Sequence, residues 1–255
     1  MGQVDRLWRL FATGLSFVLF GLGGLILALL VFPIINIVVA DPDRREAIAR
    51  GTVHRGWRLY IGTLRAMGVL SWECHGSELL RDDEGTIIVC NHPTLLDVVF
   101  LMSLLRNTQC VVKAGVWNNP FFRGVVRAAN YIPNVGDPER LIRDCAGALR
   151  QGNNIVIFPE GSRTVPGEQR RISRGFAHAA LLESAPIRLV TIDCSPVTLL
   201  KGQPWYHIPQ KRPHWTIRIH ERIDTADVPE GQERAVRARQ LCTTVYDRFE
   251  EILGA

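Results

Sequence analysis

GTIIVCNHPTLLD, residues 85–97, is the stretch that decides how the rest of the chain is interpreted. Residues 86–89 are β-branched and apolar, as expected of a buried strand, and a histidine, a proline and an aspartate follow. The order predicts a strand, a sharp turn and a helix, with Pro93 in the first helical turn, where its missing N–H has no partner anyway. Because the residue before a proline is pushed out of the α region, His92 is expected outside the helix and Asp97 one turn inside it.

An imidazole held by a carboxylate is suited to base catalysis. If Asp97 binds one ring nitrogen of His92, the other nitrogen stays basic and can remove a proton from a hydroxyl at neutral pH. The chain has no G-x-S-x-G nucleophile elbow, so the hydroxyl is expected to belong to a substrate. From this stretch alone a plainer alternative stays open, in which His92 caps a helix and Asp97 is a surface residue.

A second stretch repeats the arrangement of an apolar strand that ends in polar residues. Residues 154–163 read NIVIFPEGSR, with Glu160, Ser162 and Arg163 clustered after the predicted strand. In open α/β sheets, ligands bind at the carboxyl ends of the strands. We therefore expect both polar turns to contribute to one site.

Together the two stretches resemble the glycerolipid (lysophospholipid) acyltransferase family, which includes the 1-acylglycerol-3-phosphate acyltransferases. The family's first motif, Asn-His, four residues and Asp, is matched by Asn91, His92 and Asp97, with Thr94 where serine is common. Its Phe-Pro-Glu-Gly-Thr/Ser-Arg motif is matched without a gap by residues 158–163. The resemblance covers about residues 69–197 and implies acyl transfer without a covalent enzyme intermediate.

The resemblance also implies a role for each residue. His92, oriented by Asp97, would deprotonate the acceptor hydroxyl as it attacks the thioester of an acyl-CoA or an acyl carrier protein. Arg163 would donate to an acceptor phosphate, and backbone N–H groups after His92 would steady the oxyanion. The residues expected to contact substrates are Asn91, Thr94, Lys113, Glu160, Gly161, Ser162, Arg163 and Arg174.

Two segments depart from the family pattern. Gly136 stands where many relatives place an arginine, and Arg188, Leu189 and Val190 stand where Val-Pro-Val is common. Lys113 is assigned to substrate contact because the family has a lysine at this point, before a Pro-Phe-x-Gly segment. Arg174 is assigned because Arg174-Gly175 resembles a basic-Gly pair that the family places before its next helix. For Arg170 and Arg171 an exposed loop is the preferred interpretation.

The first forty residues differ from the rest. Residues 11–40 contain no charged side chain, and thirty helical residues extend roughly 45 Å, long enough to cross a bilayer once. We predict a retained membrane anchor that either spans the bilayer or is half-inserted; a buried helical hairpin and a cleaved signal peptide are the alternatives. Pro33 is expected to end or kink the helix.

The charged residues on either side of this segment predict its orientation in the membrane and the domain layout. Two arginines precede it and six follow within residues 41–68, which places the remainder on the cytoplasmic face of the cell's inner membrane. The net charge of +5 at pH 7 suits an anionic partner such as a lipid surface. The predicted layout is a membrane anchor (1–40), an amphipathic connecting helix (41–68) and an α/β acyltransferase domain (69–255).

The six cysteines show no C-x-x-C spacing, and no metal-ligand pattern or nucleotide-binding glycine loop is present in the sequence. We therefore expect reduced buried thiols, no metal, no cofactor other than the acyl-donor substrate, and no nucleic acid. The predicted fold is α/β, a single mixed sheet flanked by helices with an N-terminal hydrophobic membrane-anchoring helix. The expected reaction is acylation of a lysophospholipid, by default 1-acylglycerol 3-phosphate. A different hydroxyl-bearing lipid acceptor, a lipid hydrolase or thioesterase, and a non-catalytic membrane protein are the alternatives.

Overall fold

The computed structural model describes residues 2–164, 173–228 and 233–254. Within these residues the strands are β1 (Ser71–His75), β2 (Ile87–Cys90), β3 (Thr108–Lys113), β4 (Ile132–Asn134), β5 (Asn154–Ile157), β6 (Ile187–Ser195) and β7 (His214–Ile223). They form one sheet of order β1-β7-β6-β2-β5-β3-β4. All neighbouring strands are parallel except β6 and β7, which are antiparallel. The predicted α/β class with a single mixed sheet is confirmed.

Helices cover both faces of this sheet. They are α1 (Gly2–Ile26), α2 (Phe32–Val38), α3 (Pro42–Ala66), α4 (Asp97–Leu104), α5 (Ala114–Trp117), α6 (Arg123–Ala128), α7 (Pro138–Arg150), α8 (Gly175–Glu183) and α9 (Arg234–Gly254). The core on one face includes buried residues of α3, α4 and α6, and the core on the other includes residues of α7, α8 and α9. In β2, Ile88 and Cys90 belong to the first core and Ile87 and Val89 to the second. A strand buried on both faces has no polar alternation, which is why β2 reads as a continuous apolar run.

Two predicted elements differ from the observed ones. α4 begins at Asp97 rather than at Pro93, because Thr94 Oγ1 accepts the Leu96 N–H (3.3 Å) and makes a local turn that competes with a helix. The apolar composition of residues 186–197 by itself predicts a pair of buried strands, whereas the structure has the single strand β6 there. No glycine or proline lies within Ile187–Ser195, so the strand is not interrupted, and the chain reverses only beyond it and returns as β7.

The N-terminal segment is one long helical element that continues past Pro33. A π-helical turn, Leu27–Val31, joins α1 to α2, and the helix ends at Val38. The Phe32 N–H donates to the Leu27 carbonyl, five residues back, and this wider turn makes room for the Pro33 ring. Pro33 was expected to end or kink the helix: it does not end it, and the π-helical turn directly before it is the irregularity observed there. By length and composition, Gly2–Val38 is the one helix among the described residues long and apolar enough to cross a membrane.

α3 lies against this N-terminal helix. Asp41 caps α3 by accepting the Asp43 N–H, and the helix runs to Ala66, close to the expected bounds. Tyr60 donates its hydroxyl to the Ser16 carbonyl (3.3 Å), and Trp57 stacks on Phe20 with ring centroids 5.5 Å apart. The apolar N-terminal helix is therefore docked on its own protein along one side.

Arg188 is one of the residues that depart from the family pattern, and its side chain is buried and ion-paired with Asp83. Its guanidinium is 8% exposed and donates to both carboxylate oxygens of Asp83, at 2.8 and 2.6 Å. It also donates to the carbonyls of His220 and Leu79. A buried charge with this many partners is satisfied, so Arg188 fastens the segment before β2 to β6 and β7.

Candidate active site

His92 and Asp97 meet at the carboxyl end of β2, in the turn that leads to α4. His92 Nδ1 lies 2.9 Å from Asp97 Oδ2 and donates to it, since a carboxylate only accepts. Asp97 is fully buried, whereas the imidazole is 16% exposed. Because Nδ1 carries the proton, Nε2 has a free lone pair, and no described residue hydrogen-bonds to it. The pair is thus oriented as a base that reaches a bound molecule with Nε2.

Thr94 completes the environment of the Asp97 carboxylate. Its backbone N–H donates to Asp97 Oδ2 (2.6 Å) and its hydroxyl donates to Asp97 Oδ1 (2.6 Å). Burial raises the pKa of Asp97 above its ordinary value, and the hydrogen bonds from His92 and Thr94 oppose that rise. These donors act as the solvent that a buried carboxylate lacks, so they hold its charge beside the imidazole.

The backbone amides after His92 were predicted to bind an oxyanion, and two of them are already hydrogen-bonded within this turn. Pro93 has no N–H, the Thr94 N–H is bonded to Asp97, and the Leu96 N–H is bonded to Thr94 Oγ1. These amides are occupied in shaping the turn. Any oxyanion donor has to be a different group.

The second predicted turn, which follows β5, packs directly on the first. The Phe158 ring lies against the His92 imidazole with centroids 4.3 Å apart, and the Thr164 N–H donates to the His92 carbonyl (2.8 Å). Glu160 Oε2 accepts the Thr164 hydroxyl (2.5 Å). Gly161 has φ +65°, a conformation that favours glycine and lets the chain reverse beside the histidine. The structure therefore brings the NHPTLLD and FPEGSR turns together, as expected from their positions after parallel strands.

The remaining predicted residues of these turns have different surroundings. Asn91 uses its side-chain amide to pair with β6: Nδ2 donates to the Ile192 carbonyl and Oδ1 accepts the Ile192 N–H, both at 2.8 Å. It fastens β2 to β6 at the base of the site, and a direct substrate contact by Asn91 stays a prediction. Ser162 is half-buried within the second turn.

Arg163 faces the long connection between β6 and β7. Its Nη1 donates to the carbonyls of Leu199 (2.8 Å) and Leu200 (3.0 Å). Arginine has five N–H donors, so holding these two carbonyls leaves further donors on the guanidinium. The structure thus gives Arg163 an anchoring role that sequence reasoning did not foresee, and its predicted contact with a phosphate remains to be tested.

Lys113 and Arg174 lie farther out. Lys113 is exposed at the carboxyl end of β3, the strand beside β5, which puts it on the same edge of the sheet as Glu160. Arg174 precedes α8 and is exposed. Burial lowers the pKa of His178, and the charges of Arg234 and Arg174 lower it further. Burial raises the pKa of Cys242, and the charge of Arg174 opposes that rise. The backbone before it is tied to the second turn, since the Ser173 N–H donates to the Pro159 carbonyl (2.9 Å). Arg170 and Arg171 lie outside the described residues.

The sequence around the site matches a known protein family. Residues 71–194, which include both turns, match the sequence model of the family described as Acyltransferase. Residues 71–194 are therefore a segment of the acyltransferase family. The resemblance carried by Asn91, His92 and Asp97 and by residues 158–163 is thereby confirmed.

The chain is similar in sequence to proteins named 1-acyl-sn-glycerol-3-phosphate acyltransferase. It is 31% identical over 107 residues to the protein of that name from Cocos nucifera, covering 40% of this chain and 35% of the relative. It is 29% identical over 93 residues to the one from Helicobacter pylori, covering 34% of this chain and 39% of the relative. The matched region thus spans little more than a third of the length of these curated relatives.

A solved structure extends the likeness in fold to the whole chain. The crystal structure of the 1-acyl-sn-glycerophosphate acyltransferase PlsC from Thermotoga maritima superposes with a TM-score of 0.70. The superposition covers 100% of this chain and 98% of the other at 18% sequence identity. At that identity the comparison concerns fold, and it includes the N-terminal helices.

Sequence reasoning did not anticipate the contacts of Thr164 and Phe158 with His92. Phe158 lies within the second motif, so a signal for its importance was present. Thr164 follows the motif, and its bonds to the His92 carbonyl and to Glu160 depend on how the two turns pack. No local pattern in the acyltransferase sequence indicates such a contact.

Proposed function

We propose that this acyltransferase transfers a fatty acyl group from acyl-CoA or acyl carrier protein to the free hydroxyl of a lysophospholipid. We take 1-acylglycerol 3-phosphate as the acceptor and phosphatidate as the product. The observation that carries the proposal is the His92–Asp97 pair with Nε2 of the imidazole left unbonded. The printed names of the curated relatives support the choice of acceptor.

The proposed reaction is a direct transfer. His92 Nε2 accepts the proton of the acceptor hydroxyl as its oxygen attacks the thioester carbonyl, forming the C–O bond. The tetrahedral intermediate then expels the thiolate, the C–S bond breaks, and the imidazolium returns the proton from Nε2 to sulfur. Asp97 stabilises the imidazolium between these steps, and no cofactor is consumed.

Cys90 does not offer an alternative nucleophile. It adjoins the site but is fully buried, and its Sγ donates to the Asn91 carbonyl (3.2 Å). Burial, together with the nearby charges of Asp97 and Glu160, raises the pKa of this thiol well above its ordinary value. Since the thiolate is the nucleophilic form, Cys90 stays unreactive and the acceptor hydroxyl itself attacks.

The test of the function is product analysis with purified protein, a labelled acyl thioester and a panel of lyso-lipids, resolved by mass. The proposal expects labelled phosphatidate from 1-acylglycerol 3-phosphate and no release of fatty acid in the absence of acceptor. Free fatty acid without acceptor would identify a thioesterase instead. A product formed only from another lyso-lipid would keep the chemistry and replace the acceptor.

The acceptor phosphate is tested at Arg163. Replacing it by alanine should raise KM for 1-acylglycerol 3-phosphate about 10- to 100-fold, the range for losing a hydrogen bond to a charged group. KM for an uncharged monoacylglycerol, if it is acylated, should change much less. Arg212→Ala, at an exposed arginine on the same β6–β7 connection, is the matched control. An equal rise for both acceptors would assign Arg163 to holding Leu199 and Leu200 alone.

We further propose that the N-terminal helix lies in the plane of the membrane. Many of its exposed apolar residues recur every three to five positions and so share one face: Val4, Leu7, Phe11, Leu15, Val18, Leu22, Leu25, Leu29, Ile34 and Ile37. Their exposed neighbours Leu19, Ile26, Leu30 and Val38 widen this face. The opposite face contacts the protein from Trp8, whose Nε1 donates to the Met67 carbonyl, to Phe32, which is 4% exposed.

The contact between this helix and the rest of the protein is too long for the helix to cross a bilayer while surrounded by lipid. Residues 8–32 rise about 36 Å, more than the roughly 30 Å of a hydrocarbon core, and they are protein-bound on one side throughout. Crossing would pull α3 and the sheet into the bilayer. A half-inserted helix instead buries the apolar face, while the exposed arginines of α3, among them Arg44, Arg55 and Arg58, suit the anionic cytoplasmic leaflet.

The topology is tested with single cysteines at the two ends of this helix. Gln3→Cys and Ala40→Cys, bound to sealed vesicles containing anionic phospholipid, should both react with an impermeant maleimide added outside. The native cysteines are buried except Cys74, which is half-buried, so unsubstituted protein measures the background. Protection of one end until detergent is added would show a spanning helix.

A further inference from the structure

Trp215 on β7 reaches the catalytic turn from a distant part of the chain. It is 1% exposed, and its indole Nε1–H donates to Thr94 Oγ1 at 3.2 Å, across 121 residues of sequence. The same indole packs on Phe100 of α4, with ring centroids 5.6 Å apart. Neither Trp215 nor β7 belongs to the two motifs that place His92 and Glu160.

The direction of the hydrogen bonds through Thr94 follows from its neighbours. A hydroxyl has one hydrogen and two lone pairs, the indole nitrogen only donates, and a carboxylate only accepts. Thr94 Oγ1 accepts from Trp215 Nε1 and from the Leu96 N–H, so its hydrogen is directed to Asp97 Oδ1. The donors therefore run in one sense, from Trp215 through Thr94 to Asp97, which also accepts from His92.

We propose that Trp215 is a positioning residue for the catalytic pair, acting through Thr94 on the Asp97 carboxylate. The inference rests on the proposed function and adds to it a residue outside both motifs. With its lone pairs occupied, the Thr94 hydroxyl cannot turn away from Asp97, and a hydroxyl that accepts hydrogen bonds is also a stronger donor. Trp215 thereby helps to keep the carboxylate ionised and in line with His92 Nδ1.

Few other titratable groups face this carboxylate. Besides His92, they are the thiols of Cys90 on β2 and Cys194 on β6, and Glu160 lies beyond Cys90 in the second turn. Burial raises the pKa of both thiols, that of Cys194 to about 12, so both stay neutral near neutral pH. A change in the acid limb of the pH–activity profile therefore reports on protonation of the His92–Asp97 pair. Glu160 is the same in all the variants compared.

The test is Trp215→Phe, which keeps an aromatic ring on β7 near Phe100 but removes the indole N–H together with the second ring. Weaker donation to Asp97 makes the pair bind its proton more tightly, so the acid limb of kcat/KM should move to higher pH by about 0.3 to 1. At the optimum, kcat should fall about two- to tenfold with KM unchanged. Thr94→Val, which removes the intermediate donor, should move the limb further in the same direction.

Trp72→Phe is the matched control, since Trp72 also contacts Phe100, with centroids 5.7 Å apart, but does not donate to Thr94. Its pH profile should equal that of the unsubstituted enzyme. The His92 ring is followed in parallel by ¹⁵N NMR titration, with its signals assigned from His92→Ala, so the coupling is measured even if no acyl transfer occurs. If the His92 titration is the same in the parent, Trp215→Phe and Thr94→Val proteins, the inference is overturned; an inactive parent with a shifted titration would reject only the proposed function.

Discussion

Replacing His92 by alanine is expected to lower acyl transfer about 10²- to 10⁴-fold, the range associated with removing a positioned general base. In the structure Nε2 is the basic atom left unbonded at the junction of the two motif turns, and Phe158 and Thr164 contact the same residue. Neither Asp97 nor Cys90 replaces it, because Asp97 is buried and the Cys90 thiol is neutral at neutral pH. The loss should appear in kcat rather than in KM.

The measurement is the initial rate of phosphatidate formation, with folding checked by circular dichroism and thermal unfolding. The imidazole is 16% exposed and bonded only through Nδ1 among the described residues, so its removal should leave the fold intact. His75→Ala is the matched control, since His75 is 58% exposed at the end of β1. Residual transfer within tenfold of the unsubstituted rate would rule out His92 as the base.

Asp97→Asn is expected to lower kcat by about 10² to 10⁴ while leaving substrate binding nearly unchanged. The carboxylate accepts from His92 Nδ1, the Thr94 N–H and the Thr94 hydroxyl. An amide in either orientation places its NH₂ against one of these donors. If the NH₂ occupies the Oδ2 position, His92 has to change tautomer; if it occupies the Oδ1 position, the Thr94 hydroxyl has to turn although its lone pairs are in use.

Both orientations also remove the negative charge that stabilises the imidazolium. The variant is compared with Asp193→Asn, an exposed carboxylate on β6, under the same assay and unfolding conditions. Because Asp97 is fully buried, a drop in thermal stability is expected as well, so rates are compared below the unfolding transition. A kcat near that of the parent would show that the carboxylate only shapes the turn.

Much of the site was readable from the sequence because its chemistry is concentrated in two short motifs. Parallel strands place their carboxyl ends on one edge, so the convergence of His92 and Glu160 followed from β2 and β5 being neighbours. The meeting of His92 and Asp97 was predicted correctly but for a partly wrong reason. Pro93 does not start the helix; the turn made by Thr94 brings the two side chains together.

The bonds that fix each group were not readable in this way. Asn91, which is predicted to contact substrate, also pairs its side-chain amide with the backbone of Ile192, and Arg163 holds the carbonyls of Leu199 and Leu200. Each partner is a backbone group of a distant segment. A backbone carbonyl or N–H has no residue-type signature, so such contacts leave no trace in the sequence pattern.

For the N-terminal segment as well, the sequence predicted the element and the tertiary structure supplied its contacts. Composition alone identified residues 11–40 as long and apolar enough for a membrane, but composition does not distinguish a helix surrounded by lipid from one docked on protein. The contacts of Trp8, Ser16 and Phe20 with α3 and its C-terminal end supply that distinction. They support a helix lying along the membrane surface.

The sequence by itself determined the strand-and-turn motifs, the α/β class, the pairing of His92 with Asp97 and the apolar N-terminal helix, because each depends on residue types at short spacing. Only the tertiary structure decided which of these groups are free to act and which are held: the unbonded Nε2 of His92, the occupied amide of Asn91, and the indole of Trp215 behind Thr94. The physical reason is that hydrogen-bond saturation is a property of pairs brought together by folding, and these partners lie as far as 121 residues apart in the chain.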